Sequence, residues 1–406
     1  MAELTEVLDE TVRRERGRIV GGLLRLCGSL DAAEDAFHDA VVAALRAWRS
    51  ELPANPGAWL TAVARNGARD ALRRRAVAAA QPATGHGDEV DAPETIDTVS
   101  DDHLRLLFTC CDPALSTDNQ IALTLKVVAG FSTEEIARAF LCSEETISQR
   151  ILRARRTLEQ RAAPHGAAAP GDRGARVAAV LGVLHAMFNE AHTARAGPLL
   201  RLDLHAEALR LGRLVCDLLP AEAEAFGLVA MMAFGAARAH TRVDPEGAPI
   251  LLAEQDRSRW SGELLREGLM ALQRARSLRG RGPFVLQAEL AAVHVTARTW
   301  EETDWAAMVA LYDALAREAP SPVVSLNRAV AVSMRDGPAA GLAALDGLEQ
   351  PLSGYHLFYA TRAELKERAG EDGRADLSRA LALAKNDGER RLLARRLATS
   401  RAARGS

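Results

Sequence analysis

Three groups of residues have types and spacings suited to chemistry, and in each the chemistry is recognition. In "STEEIARAFLCSEETISQRILRARRTL" (132–158), Ser143, Thr146, Gln149, Arg150, Arg153, Arg155 and Arg156 are the polar complement of an apolar stripe. Gln149 could read adenine and Arg150 guanine, because each can offer two hydrogen bonds to one base edge. Arg153, Arg155 and Arg156 suit phosphates, which position a protein without reporting sequence. The second group is Arg65, Asn66, Arg69, Arg73, Arg74 and Arg75, set against Asp70 in "NPGAWLTAVARNGARDALRRR" (55–75). Clustered guanidiniums beside an amide and an aromatic fit a nucleic-acid backbone and an opened strand. The third is Asp31, Asp35 and Asp39, recurring at i, i+4 and i+8 in "DAAEDAFHDAVVAALRAW" (31–48). This is either an acidic docking face for a basic protein or an ordinary solvated surface.

Helices must carry all three groups. Ser132 and Glu135 have capping-box spacing, followed by the stripe Ile136, Ala137 and Phe140. Ser143 can cap a second helix with Ile147, Ile151, Ala154 and Leu158 on its inner face. Two short helices about a tight turn read as a helix-turn-helix, whose second helix enters the major groove. The plain alternative is a helical hairpin with a solvated basic face. Pro56 suits the start of the arginine-rich helix, with Trp59, Leu60 and Val63 facing inward. The acidic helix has Phe37, Val41, Ala44, Leu45 and Trp48 as its expected apolar stripe.

Other chemistries find little support. Glu254, Asp256, Arg257 and Arg259 in "EQDRSRW" could do acid–base work, but no nucleophile, phosphate loop or metal constellation accompanies them. The simpler expectation is that Asp256 caps the next helix and pairs with an arginine while Trp260 anchors it. Adjacent Cys110 and Cys111, near His103, suggest buried thiols in a reducing cytosol; five cysteines without a CxxC pattern form no disulfide framework. His185, His192, His294 and His356 are scattered and read as core or surface residues. No cofactor and no metal is expected. No apolar run approaches the ~20 residues of a membrane span, and "MAELTEVLDETVRRERGR" lacks a signal-peptide core. The cytoplasm is therefore the expected location, without membrane association. With a net charge of −3, nucleic-acid affinity must come from local patches. All but Lys126, Lys366 and Lys385 of the 51 basic residues are arginine, so arginine clusters are discounted accordingly.

The periodicity is helical throughout, which predicts an all-α protein. An acidic stretch over 76–102 and an Ala/Pro/Gly-rich stretch over 161–174 divide the chain. The expected parts are a domain at 1–75, an acidic flexible linker at 76–102, a helix-turn-helix domain at 103–160, a hinge at 161–174 and a larger domain at 175–406. In the last, "NRAVAVSMRDGPAAGLAAL" and "TRAELKERAGEDGRADLSRALAL" share an Arg-Ala pair, a DG turn and a following Ala/Leu helix. Arg328 and Arg362 stand 34 residues apart, the tetratricopeptide period, which favours a helical-repeat domain over generic hairpins.

The order of the acidic helix, "AWLTAVARNGARDALRRR", linker and helix-turn-helix resembles an extracytoplasmic-function (ECF) sigma factor of the sigma-70 family, over about 1–160. The resemblance implies that 1–75 is sigma region 2, which binds the clamp helices of the RNA polymerase beta-prime subunit and opens the −10 element. It implies that 103–160 is region 4, which reads the −35 element. Carried over, Asp35 and Asp39, with Asp31 on the same stripe, are the core-polymerase-binding acids. Asn66, Arg65, Arg69, Arg73 and Arg74 meet −10 DNA; Ser143, Thr146, Gln149, Arg150, Arg153, Arg155 and Arg156 meet −35 DNA. His38-Asp39 stands where a common member has Gln-Asp or Gln-Glu, which keeps the carboxylate. The acidic linker would thread through the polymerase near the nascent RNA path.

More than half the chain follows the second break, where typical members stop. Stretches such as "FNEAHTARAG", "EQDRSRWSGELLREGL" and "SPVVSLNRAVAVS" resemble a subgroup with a C-terminal tetratricopeptide-like (TPR-like) domain. That subgroup commonly has Cys-Cys-His-Pro where this chain has Asp112 after Cys110 and Cys111. The resemblance implies an alternative sigma factor, not an enzyme, with core RNA polymerase and promoter DNA as partners. It is expected in the cytoplasm, on the nucleoid when in holoenzyme. The extension would regulate in cis, with a signalling protein as a further expected partner. Two other readings stay open: a one-component helix-turn-helix regulator with a helical-repeat sensor, and an enzyme housed in 175–406.

Overall fold

Capping and apolar periodicity set the helices, and helices are all that form: the described residues contain no strand, only one antiparallel bridge between Val243 and Pro249. A computed structural model describes residues 2–49, 52–78, 96–140, 142–161, 173–192 and 202–402. The chain divides into two compact units, Met1–Ala186 and Met187–Ser406. No helix among the described residues is long and apolar enough to cross a membrane.

In the first unit, α1 (Ala2–Cys27), α2 (Leu30–Ala47) and α3 (Pro56–Ala78) pack together around Leu23, Phe37 and Leu60. Side chains of this size, fully buried, each stabilise the unit by about 1.5–3 kcal/mol. The buried face of α2 is Ala33, Ala36, Phe37, Ala40 and Ala44, with Trp48 behind it. Leu45, expected inside, is 40% exposed; small alanines let α2 lie close to α1 and rotate its apolar face away from Leu45. Asn55 lies just before α3, its Oδ1 accepting from the Ala58 amide at 3.0 Å, with Pro56 as the first helical residue.

α4 (Ile96–Cys110) lies across α1, which explains a glycine in mid-helix: a Cβ on Gly21 would stand 2.5 Å from the Asp102 carbonyl oxygen. The acidic stretch expected as linker is therefore helical at both ends, and only 79–95 lies outside the described residues. Asp102 is buried, and both its oxygens accept from Arg25 Nε, at 3.0 and 3.2 Å. α5 (Thr117–Val127) leads into α6 (Thr133–Phe140) and α7 (Glu144–Arg161), which hold Ile136, Ile147, Ile151 and Ala154 inside. α8 (Arg173–His192) follows; residues 162–172, most of the expected hinge, lie outside the described residues.

The second unit is a succession of neighbouring helices: α9 (Leu202–Leu218), α10 (Ala223–Ala237), α11 (Gly262–Ser277), α12 (Pro283–Thr296), α13 (Trp305–Glu318), α14 (Pro322–Asp336), α15 (Pro338–Ala343), α16 (His356–Arg368), α17 (Arg374–Leu383) and α18 (Asp387–Ala402). Each hairpin packs on the next, and hydrophobic clusters follow one another along the unit, one among α10–α12, one among α12–α14 and one among α14–α18. α14 and α16 begin at Pro322 and His356, 34 residues apart, and each turns into its partner helix at an Asp-Gly pair, Asp336-Gly337 or Asp372-Gly373. Gly341 allows the close crossing of α15 on α14, since a Cβ there would meet Ser333 Cβ at 2.4 Å. Buried Asp376 ties α17 to α16 through Arg362 at 2.6 Å and Lys366 at 2.8 Å. Burial works against that carboxylate, but the two cations outweigh it and hold its pKa below the usual range.

Candidate nucleic-acid interface and docking face

The helix-turn-helix is built as its local sequence dictates. Ser132 Oγ accepts from the Glu135 amide at 3.0 Å, and Glu135 Oε2 accepts from the Ser132 amide at 2.7 Å. Ser143 Oγ accepts from the Thr146 amide at 3.2 Å, which starts α7. Ser143, just before α7, and Gln149, Arg153 and Arg156 on it are exposed, and Thr146 is half-buried. Arg153 Nη2 donates to Gln149 Oε1 at 3.3 Å, so the two side chains lie side by side on the open face. Arg150 turns back to Asp118 of α5, at 3.1 Å. Arg155 does not share the open face at all. It donates to Asp31 and Glu34 of α2.

That contact splits the acidic stripe of α2. Asp35 and Asp39 are exposed and carry no ion pair or hydrogen bond among the described residues. Asp31 is taken up by Arg155, together with Glu34, which also receives Arg16 Nη2 at 2.5 Å. Arg16 in turn donates through Nε to the Val127 carbonyl at 3.0 Å, so one guanidinium bridges α2 and the end of α5. Burial lowers the Arg16 pKa, the Glu34 charge works to raise it, and the neighbouring Arg155 charge lowers it further. Glu34, Arg16 and Arg155 are all largely buried, so this network is more than a surface ion pair.

Of the arginine-rich group, Arg65, Asn66 and Arg69 line a cavity of about 550 Å³ between α1 and α3. Its remaining polar lining includes Glu15, Arg18, Asn55 and Thr61. Arg18 Nη2 donates to Thr61 Oγ1 at 2.8 Å and its Nε to Glu15 Oε2 at 2.9 Å, which fixes one wall. Burial works to raise the Glu15 pKa, but bonds from Arg18 and Arg14 prevail and hold it below the usual range. The volume and the mixed lining suit a group of nucleobase size entering from an edge of phosphates. Arg73 and Arg74 lie a turn farther along α3, exposed and outside the cavity. Arg74 Nε donates to the Asp70 carbonyl at 3.3 Å. Sequence spacing identified three of the cavity residues; Asn55 and Thr61 lie in the same stretch but were not singled out, and Glu15 and Arg18 come from α1, whose own pattern gave no sign of it.

The other candidate chemistry dissolves into structure. Asp256 Oδ1 accepts from the Ser258 amide at 3.0 Å and from its hydroxyl at 2.6 Å, capping a single 3-10 turn, Arg257–Arg259. Ser261, not Asp256, caps α11, accepting from the Leu264 amide at 3.4 Å. Trp260 is buried and donates to Thr241 Oγ1 at 3.0 Å. Cys110 and Cys111 are fully buried. Burial pushes the Cys110 thiol well up, with Cys111 adding to it, and pushes Cys111 to about 12. Both thiols therefore stay protonated, unlike a nucleophilic thiolate.

Comparison with known sequences fits this geometry part by part. Residues 11–77 match the family "Sigma-70 region 2", which covers α2, α3 and the groove against α1. Residues 106–158 match "Sigma-70, region 4", which covers the helix-turn-helix. Residues 176–276 match a family of unknown function, DUF6596. The chain is 42% identical to the uncharacterized protein R00370 of Rhizobium meliloti (strain 1021) over 393 residues, 94% of this chain and 93% of that one. No solved structure matches the chain.

Proposed function

The chain belongs to the sigma-70 family, as an ECF-like sigma factor with a C-terminal extension, and on that premise we propose how its surfaces divide the work of initiation. Asp35 and Asp39 dock on the clamp helices of the beta-prime subunit of core RNA polymerase. Arg65, Asn66 and Arg69 receive a base and its phosphates from the opened −10 element in the cavity between α1 and α3. Arg73 and Arg74 follow the backbone beyond it. Ser143, Thr146, Gln149 and Arg153 meet the −35 element in the major groove, and Arg156 holds its phosphates. No covalent step is involved: family members are transcription factors, and strand opening draws on binding energy. The protein acts in the cytoplasm and, within holoenzyme, on the nucleoid.

The observation that carries this reading is the α1–α3 cavity, with Arg65, Asn66 and Arg69 on one wall, beside an α2 face whose Asp35 and Asp39 are unpaired. A one-component regulator has no use for either feature.

Arg150 and Arg155, expected at −35 DNA, are engaged within the unit by Asp118 and by Asp31 with Glu34. The two promoter elements lie about 25 base pairs apart, roughly 85 Å at ~3.4 Å per pair. A compact unit of 186 residues has a radius of gyration of about 16 Å and cannot reach both. Engagement therefore separates α7 from α2, which frees Asp31 for polymerase and Arg155 for phosphate together. The C-terminal extension regulates this step in cis and receives the input of a signalling protein.

Capture of core polymerase by full-length protein tests the docking assignment. Wild type is expected to retain core enzyme, and the Asp35→Ala, Asp39→Ala double variant to lose it. Equal retention by both overturns the assignment.

A further inference from the structure

We propose that Arg238, Arg257 and His294, in the C-terminal unit, form a binding site for the oxyanion of a small molecule, a phosphate or carboxylate group. The three residues come from separate elements that a continuous set of contacts links, and the charge of Arg257 acts on Arg238 while both charges act on His294. Arg238 follows the last turn of α10, and its carbonyl accepts from Thr241 Oγ1 at 2.9 Å. Thr241 Oγ1 accepts from Trp260 Nε1 at 3.0 Å, and the Arg257 guanidinium lies over the Trp260 ring, 4.8 Å from its centre. Arg257 Nη1 then donates to the carbonyls of His294 and Ala297 at the end of α12, at 2.6 and 2.7 Å.

What these groups lack points to a ligand. Arg257 Nη2 and His294 Nδ1 are both buried and have no hydrogen-bond partner. The Arg238 guanidinium has no ion pair or hydrogen bond among the described residues, although burial is heavy enough to bring its pKa to about 10, with the Arg257 charge adding to the effect. Arginine does not give up its proton, so a buried guanidinium needs an anion or an array of acceptors. Leaving buried donors unmade costs more than a typical hydrogen bond gains. Among the described residues the acid acting on Arg257 is Glu301, which is exposed and on the far side of Trp300 in sequence.

The rest of the site is shaped to hold a ligand without competing for it. Arg257 Nη1 covers the carbonyl end of α12, which would otherwise repel an anion. His294 is held neutral, its pKa brought to about 4 by burial and then by the charges of Arg238 and Arg257, so its ring can donate one N–H without adding charge. Trp300 stacks on His294 at 5.7 Å between centres, and Trp305 meets both rings edge-on, which fixes the imidazole. Arg238, Arg257 and His294 each keep part of their surface open to solvent. The site lies wholly within the second unit, and its test is independent of polymerase and promoter binding.

The experiment is a calorimetric and thermal-unfolding titration of the full-length protein at pH 7 and constant ionic strength. Inorganic phosphate and citrate are the two probes, with chloride as the balancing anion. Wild type is expected to show saturable binding of at least one probe and a rise in the unfolding temperature of the C-terminal unit. Tighter phosphate assigns the site to a phosphate group, and tighter citrate to a carboxylate. Arg238→Gln is expected to weaken binding at least tenfold, while Arg335→Gln, whose residue pairs with Asp336 on the surface, leaves it unchanged. Should Arg238→Gln not fold, Arg238→Lys, which keeps the charge but loses the planar donors, serves in its place with an expected loss of about threefold or more. No saturable response in wild type, or the same affinity in wild type and the folded Arg238 variant, overturns the proposal.

Discussion

Arg155 on α7 and Glu34 on α2 are separated by 121 residues of sequence and joined by a direct bond, with Asp31 on the same guanidinium and Arg16 on the same carboxylate. Two helices assigned to opposite ends of a promoter are thereby fastened to each other. Hydrogen bonds to charged groups contribute about 1.5–3 kcal/mol each. Glu34→Gln, which alters no proposed contact to polymerase or DNA, should weaken the α2–α7 contact by that amount. Amide hydrogen exchange in α7 is expected to quicken by about ten- to a hundredfold. Unchanged exchange in α7 contradicts a fastening role for Glu34.

Asp35 and Asp39 make no hydrogen bond or ion pair among the described residues, so removing them should cost binding without costing stability. The double alanine variant is expected to unfold within about 0.5 kcal/mol of wild type, as exposed substitutions do. Its affinity for core polymerase should fall at least tenfold, read by fluorescence anisotropy of labelled protein. A large drop in stability would instead mean that the acids serve the fold.

The cavity arginines and those beyond it should separate by salt dependence. Each single-strand phosphate contact contributes about 0.7 to the slope of log affinity against log salt. Arg73→Ala and Arg74→Ala should each lower the slope by about that amount for a −10 strand bound to holoenzyme. Asn66→Ala should reduce affinity with the slope unchanged, because an amide neutralises no phosphate. A slope change for Asn66→Ala equal to that for Arg73→Ala would contradict the division.

Buried His205 and half-buried His294 have pKa values brought to about 4, burial being the first cause in both and nearby arginines the second. Their unfolded value is near 6.5. Between about pH 6.5 and 4 the unfolded chain binds protons that the folded one refuses, so stability falls as pH falls through that window. Above about pH 6.5 the two histidines cost nothing. Urea unfolding followed by Trp260, Trp300 and Trp305 should show the loss in wild type and a smaller loss in His205→Gln. Equal pH dependence in the two proteins contradicts the assignment.

What is local in the fold is legible in the sequence. Ser132 with Glu135 and Ser143 with Thr146 close their caps within three residues, and the 34-residue spacing of Arg328 and Arg362 reports a repeat unit that the α14 and α16 starts reproduce. What it missed is set by distant partners. Asp102 sits in an acidic stretch that looks like solvated tether, and only the crossing of α1 and α4 makes it the buried partner of Arg25. Asp31, Asp35 and Asp39 are equivalent by spacing, and Arg155 alone distinguishes them. Leu45 resembles a core residue by type, but the alanines of α2 offered a closer fit to α1. Arg238 carried no signal at all, since arginine is abundant throughout the chain.

The central claim is that this chain confers promoter-specific initiation on core RNA polymerase. Run-off transcription from a promoter selected by the reconstituted holoenzyme tests it most directly. The account predicts a discrete transcript only when core enzyme and full-length protein are both present, and its loss with Asp35→Ala and Asp39→Ala. Specific binding of the protein alone to that DNA, with no transcript when core enzyme is added, would contradict it.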